Sequence, residues 1–337
     1  MSFKMKDLTR PPQEVLDLLK KAGSMNKTEA LAAQEMLAQA LAPVIREGIL
    51  YVDNLANIFE RVQLVGNETA EYPLDFIAPG EEDQHIAYSV PGHGRIPENA
   101  VEGDYVKIGT YQTGNSIDML LRYARDAGWP VVARALEILM AGFVKKNSDD
   151  GWHTIITAAV DRNILVYDDD AAVGQLTKRL LSMTKTVMTR QSGGNGIGAG
   201  RLTDVYMSPE GVDDILNWGV DQLDDQTRRA IHVDADRGQS VTRLFGVNIH
   251  PLYEFGAGQE YQDYYTNTLS GTFPGSDVEL VIGLDQSRND SFIMPVKENV
   301  SVFADDALHR QQRLGWYAWS EAGFGILDNR RCIVASF

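Results

Sequence analysis

Apolar positions recur at three- and four-residue spacing most persistently between Asn115 and Asn147. Ile117, Leu120, Leu121 and Ala124 predict a first helix, with Asn115 as its cap and Asp118 at the positive end of the helix dipole. Gly128 suits the stop of that helix and Pro130 the first turn of a second, which carries Val132, Leu136, Leu139, Met140 and Phe143. Its polar stripe of Arg134, Glu137 and Lys145 is narrow, so the helix is expected to be packed on more than one side. Lys145 and Lys146 suit a last turn, and Asn147-Ser148-Asp149-Asp150-Gly151 predicts its end. No catalytic group stands on this stretch. It reads as a spine.

The flanking patterns differ. Residues 1–47 give a short amphipathic helix through Val15, Leu16, Leu18 and Leu19, then an alanine-rich helix from Asn26 to Ala42 that Pro43 interrupts. Neither is apolar enough to form a core alone, so both must lie against the rest of the chain or a neighbouring subunit. Residues 48–113 read as two extended arms, one beginning at Ile58, Glu60, Val62 and Leu64 and one returning at Tyr105 to Thr110. The middle between them is rich in Pro and Gly, including Pro79-Gly80 and Pro91-Gly92-His93-Gly94. A long irregular insertion of this kind points to a binding role.

After the spine, Trp152 to Val160 is ambiguous between helix and strand, and Asn163 to Tyr167 predicts a short strand. Asp168-Asp169-Asp170 reads as the start of a helix carrying Val173, Leu176, Leu180, Met183 and Val187. Strand Leu202–Met207 leads into a helix capped by Ser208-Pro209-Glu210. Val241 to Ile249 and Val278 to Leu284 predict further strands. Asp328-Asn329 reads as a hairpin turn between Phe324–Leu327 and Arg331–Ala335. The order of elements is α+β, without the strict alternation of a doubly wound sheet.

Length and composition narrow the function classes. A chain of 337 residues can bury substantial cores, and its 44% hydrophobic and 23% charged residues exclude wholesale disorder. A formal net charge of −16 argues against a protein that grips nucleic acid through its phosphates. Cys332 is the single cysteine, which excludes an intrachain disulfide and a multi-cysteine metal site. The opening MSFKMKDLTRPPQ has no signal-peptide core, and no apolar run reaches 18 residues, so no membrane role is expected.

Candidate chemistry is sparse. The glycine-rich loop Gly194-Asn195-Gly196-Ile197-Gly198-Ala199-Gly200 suggests phosphate binding, but a helix precedes it and a strand follows, the reverse of a phosphate loop, and no Gly-Lys-Ser/Thr is present. Asp168-Asp169-Asp170 suits helix capping better than Mg²⁺ or Ca²⁺, because consecutive carboxylates point different ways. His85, His93, His153, His232, His250 and His309 show no metal-ligand spacing. Cys332 lies in an apolar strand and reads as packing. Tyr261, Tyr264, Tyr265 and Phe273, and Trp316, Tyr317 and Trp319, could bind a ligand but read more readily as core or interface packing. No catalytic, cofactor-binding or metal-binding residue is assigned.

The order of elements resembles the HK97-like major capsid proteins of tailed double-stranded DNA bacteriophages. Asn57-Ile58-Phe59-Glu60-Arg61-Val62, the spine Trp129–Asn147, Asp204-Val205-Tyr206-Met207-Ser208-Pro209 and the run from Arg313-Leu314-Gly315-Trp316 through Gly323-Phe324-Gly325-Ile326 to Val334 carry the likeness. The resemblance implies an N-terminal arm over 1–47 and an extended loop (E-loop) over 48–113. It also implies a peripheral domain with the spine helix over 114–160 and 291–337, and an axial domain over 161–290. By this resemblance the chain is a structural subunit of an icosahedral capsid, not an enzyme. It would self-assemble as pentamers and hexamers around double-stranded DNA and reside in the virion after assembly in the host cytoplasm. Arm and E-loop would reach over adjacent subunits. A scaffolding protein, a portal and a cement or decoration protein are the further partners implied. Because the arm begins almost at Met1, scaffolding is expected to be a separate protein. Some members cross-link through an E-loop lysine, but residues 48–106 contain none, so that chemistry is not expected. Two other readings stand beside this one: an encapsulin-type compartment shell, and a soluble α+β enzyme binding a phosphorylated ligand at Gly194–Gly200.

Overall fold

The computed structural model describes the chain except residues 1–10, 53, 67, 74–104, 127, 173, 191–199, 220–222, 224–242, 276–277 and 288–289. The chain divides into two compact units. One comprises Met1–Glu71, Lys107–Gly151 and Ile293–Gly325; the other comprises Tyr72–Val106, Trp152–Phe292 and Ile326–Phe337.

In the first unit, Val15, Leu19 and Ala22 recur along one face of α1 (Gln13–Ala22), and Lys20 and Lys21 occupy its last turn. Helix α2 (Lys27–Val52) runs through Pro43, where the sequence predicts a break. Pro43 is exposed, whereas Leu37, Leu41, Val44 and Ile45 on the other face are buried, so core packing outweighs one missing hydrogen bond. The fully buried Gln34 donates its side-chain amide to the Ala22 carbonyl at the end of α1 (3.2 Å). These helices therefore lie against the rest of their own chain.

The partner of α1 and α2 is a sheet in the order β1-β10-β11-β4, formed by Glu60–Gln63, Phe292–Ala304, Arg313–Ala322 and Tyr111–Leu120, with β12 (Gly325–Ile326) joining β10. β1 runs parallel to β10, and β11 pairs antiparallel with both β10 and β4. The expected helix from Asn115 is thus corrected: Asn115 to Leu120 is strand, and only Leu121–Arg125 forms a short helix, α3. Ile117 and Met119 fit a period of two as well as a period of three to four. Continuous pairing from Arg313↔Leu120 to Ala322↔Tyr111 selects the strand.

The spine, α4 (Trp129–Asp161), is also longer than its sequence suggests, at 33 residues and roughly 50 Å. Asp149 and Asp150 do not end it. They pair one turn apart with Lys145 and Lys146, at 2.8 and 2.7 Å. Leu136, Leu139 and Phe143 of α4 join Leu19, Leu37 and Leu41 of α1 and α2, and Leu314 and Trp316 of β11, in one core.

The second unit is built on a six-stranded sheet, β5-β13-β9-β6-β8-β7. Its strands are Leu165–Val166, Cys332–Ser336, Leu280–Leu284, Asp204–Met207, Val247–Pro251 and Arg243–Leu244. β6, β9 and β13 are buried at every position, which explains their unbroken apolar runs. Helices α5 (Lys178–Arg190) and α6 (Pro209–Asn217) supply Leu180, Met188 and Ile215 to the core. Ser208 caps α6 as expected, accepting from Gly211 N at 3.1 Å.

Three local expectations change in this unit. Helix α5 begins at Lys178, not at Asp168. The span from Val241, of which 241–242 lie outside the described residues, is a hairpin of β7 and β8 turning at Phe245-Gly246. Asp328-Asn329 opens a 3-10 turn, Asn329–Arg331, not a hairpin. In that turn Asp328 accepts from Arg330 N (3.0 Å) and pairs with its guanidinium (2.8 Å), while the buried Arg331 pairs with Asp285 (3.4 Å).

Candidate assembly surfaces

Alternation along β11 sends Leu314, Trp316 and Ala318 into the first core and leaves Tyr317 and Trp319 on the opposite face. The register places Phe303 of β10 opposite Tyr317. Phe303 stacks on Tyr317 with centroids 5.5 Å apart and meets Trp319 edge-on at 5.6 Å. On the other side, β4 places Ser116 opposite Tyr317 and Gly114 opposite Trp319, neither large enough to cover a ring. Phe303, Tyr317 and Trp319 remain 39%, 38% and 42% exposed. Charged pairs frame them: Arg313 with Asp118 at 2.6 Å, and Lys297 with Glu321 at 3.0 Å. The Lys297 hydrogen bond, with one from Thr110, holds the Glu321 carboxyl below its ordinary range. An aromatic patch with a charged rim is the usual composition of a protein–protein contact.

The two extended arms meet as a two-stranded sheet of β2 (Glu71–Pro73) and β3 (Tyr105–Lys107), followed by a bond from Ile108 N to Ala70 O of 2.9 Å. Tyr105 is 67% exposed there. Residues 74–104, which carry the predicted Pro/Gly-rich middle with His85 and His93, lie outside the described residues.

In the second unit, Asp168 is buried and accepts from the Thr177 hydroxyl (2.7 Å), and that hydroxyl in turn accepts from Leu180 N (3.1 Å). Thr177 is therefore the cap of α5, and Asp168 orients it from a separate turn. Arg179 reaches back to Asp168 (3.2 Å) and to Asp170.

Asp204 on β6 accepts from His250 (2.9 Å) and Asn248 (3.0 Å) on the neighbouring parallel β8. Burial works against its carboxylate, but hydrogen bonds from His250, Thr203 and Asn248 outweigh that and hold the group below its usual range. Tyr206 stacks on His250 at 4.7 Å. This Asp–His pair ties the two strands together.

The remaining candidates are dispersed. Residues 194–199 and His232 lie outside the described residues, and Gly200 is buried just before β6. His153 stacks on Tyr264 at 3.9 Å, and His309 meets the Ser24 carbonyl at 3.3 Å. Tyr261 and Tyr265 are buried, and Tyr265 packs against Phe273 at 5.3 Å. Cys332 is fully buried, and desolvation pushes its thiol well up. Among the described residues, no three His, Cys, Asp or Glu side chains converge as a metal site. Phe303 carries no signal of this role in the sequence, because only strand register brings it beside Tyr317.

No protein-family model and no curated protein matches the chain. Solved structures do. A structure of Microbacterium phage Oxtober96 aligns at TM-score 0.55 with 9% identity, covering 85% of this chain and 90% of that one. The capsid of an empty GTA particle computed with C5 symmetry aligns at 0.54 with 12% identity, over 85% and 89%. A structure of Gordonia phage Cozz aligns at 0.53 with 12% identity, over 84% and 86%. At such identities the likeness establishes architecture. The chain has the HK97-like α+β fold.

Proposed function

We propose that this chain is a structural, non-catalytic subunit of an icosahedral phage-type capsid, self-assembling as pentamers and hexamers that enclose double-stranded DNA in a virion. The fold it has in common with the capsid of an empty GTA particle, over 85% of its length, carries this reading. The exposed aromatic rung of Phe303, Tyr317 and Trp319 supports it, because a monomer gains nothing by leaving such a face in water. The net charge of −16 suits a wall that confines DNA without gripping it. The segment rooted by β2 and β3 is proposed to lie over an adjacent subunit. It has no lysine between residues 48 and 106, so we propose that the shell is held without lysine cross-links. A scaffolding protein, a portal and a cement or decoration protein complete the proposed partners.

Light scattering with negative-stain microscopy on the purified full chain tests the reading. Hollow shells, or rings of five or six copies, are the expected outcome. A monomer at every concentration and salt, under crowding and in the presence of scaffold, overturns it.

A further inference from the structure

Helix α5 and the β7–β8 hairpin enclose an apolar cavity of about 180 Å³ lined by Leu181, Leu244, Val247 and Phe245, with Lys178 and Lys185 at its rim. The hairpin turn is unusual. Phe245 has φ 52° and Gly246 φ 82°, the turn geometry for which Asn-Gly is the favoured pair. A bulky aromatic at positive φ is disfavoured, and here it is also 42% exposed. Two cations converge on it: Lys178 Nζ stands 5.0 Å from the ring centroid, and Lys185 Nζ donates to the Phe245 carbonyl at 3.3 Å. The fold thus maintains a strained, outward aromatic and two lysines around an open apolar groove.

The same sheet carries the complement. The groove lies at the β7 edge, and β5 is the other edge. Directly after β5 come Tyr167, 37% exposed, and the exposed Asp169 and Asp170. Helix α5 separates the two patches: Arg179 serves the acidic turn, while Lys178 and Lys185 lie roughly 100° round the helix from it.

Resting on the shell reading above, we infer that copies of this chain associate head to tail through this sheet, the Tyr167–Asp170 turn of one copy seating on the Lys178/Lys185/Phe245 groove of the next. Two different patches on one unit make a heterologous contact, which closes into a ring when the rotation permits. The occupant is a second copy because an aromatic beside carboxylates matches an apolar groove rimmed by lysines.

A charge-swap cycle on the full chain tests this by light scattering. Lys185→Glu and Asp169→Lys are each expected to raise the concentration for half-assembly at least about tenfold, and the double variant to restore it to within about threefold of wild type. Phe245→Asn separates assembly from folding. It relieves the turn and should raise the melting temperature while still weakening assembly by about tenfold or more. If wild type assembles and none of these variants differs from it, the inference is overturned and the shell reading stands. If the single variants weaken assembly and the double variant does not recover, the groove takes a different occupant, and the inference is again overturned. A wild-type chain that never assembles overturns both.

Discussion

At the scale of single residues, Glu279 shows how one buried group ties a helix start to pH. It is 8% exposed and accepts from Ser208, the residue that caps α6. Burial raises its carboxyl, the Ser208 bond partly offsets that, and the nearby Glu210 and Asp214 raise it further. A carboxyl raised on folding binds its proton more tightly in the native state. Stability therefore falls as pH climbs from the ordinary carboxylate range through the native value. Glu279→Gln keeps an acceptor for Ser208 and removes the charge. It should melt at a higher temperature than wild type at pH 7.5, and the advantage should vanish near pH 4, where wild type is protonated. Equal advantages at both pH values would show that the carboxyl titrates normally. The Asp204 carboxyl, held low by His250, Thr203 and Asn248, works the other way: its contribution is present above the unfolded value and is lost as pH falls through the native one.

At the scale of elements, α4 shows both what is legible in the sequence and what hides in it. The apolar spacing of Val132, Leu136, Leu139 and Phe143 fixed its face correctly. Its end was misread because Gly151 resembles a stop. In the fold Gly151 is a packing site: a Cβ there would sit 2.2 Å from the Leu55 Cδ1, and Leu55 is 1% exposed. Gly151→Ala gains about 1 kcal/mol of helix propensity but crowds a fixed side chain, so a net loss of about 1–2 kcal/mol is expected in chemical denaturation. Leu55→Ala destabilises alone, yet in that background Gly151→Ala should become stabilising. Additive effects would exclude the clash. Strand β4 failed for a related reason. Its local period is ambiguous, and its ten-residue partner β11 is about two hundred positions away. The turn at Phe245-Gly246 has the glycine of the favoured pair but an aromatic where Asn is expected, so only half of its usual signal is present. By contrast, the Ser208-Pro209-Glu210 start of α6 is local chemistry, and the capped helix expected there is present.

At the scale of the whole molecule, the proposed assembly role is legible in the sequence only indirectly, in the lack of a recognised catalytic motif and in helices and extended arms that need something to lie against. Trp316, Tyr317 and Trp319 are close in sequence, but strand alternation divides them, with Trp316 at 0% exposure and Trp319 at 42%. This division has a spectroscopic consequence. The other tryptophans, Trp129, Trp152 and Trp218, are 5%, 1% and 5% exposed, so Trp319 is the accessible one of five. In the unassembled chain acrylamide should quench roughly one fifth of the emission, and Trp319→Phe should abolish that fraction while barely moving the melting temperature. If the Phe303–Tyr317–Trp319 face is a contact between subunits, assembly should protect the quenchable fraction and shift emission to the blue. Trp319→Ser, which removes the aromatic body, should then raise the concentration for half-assembly about tenfold or more, as loss of a central aromatic does in other interfaces. Shells that form normally with Trp319 still quenchable would leave this face as outer surface, free for a decoration protein, and would place the subunit contacts on the sheet edges of the second unit instead.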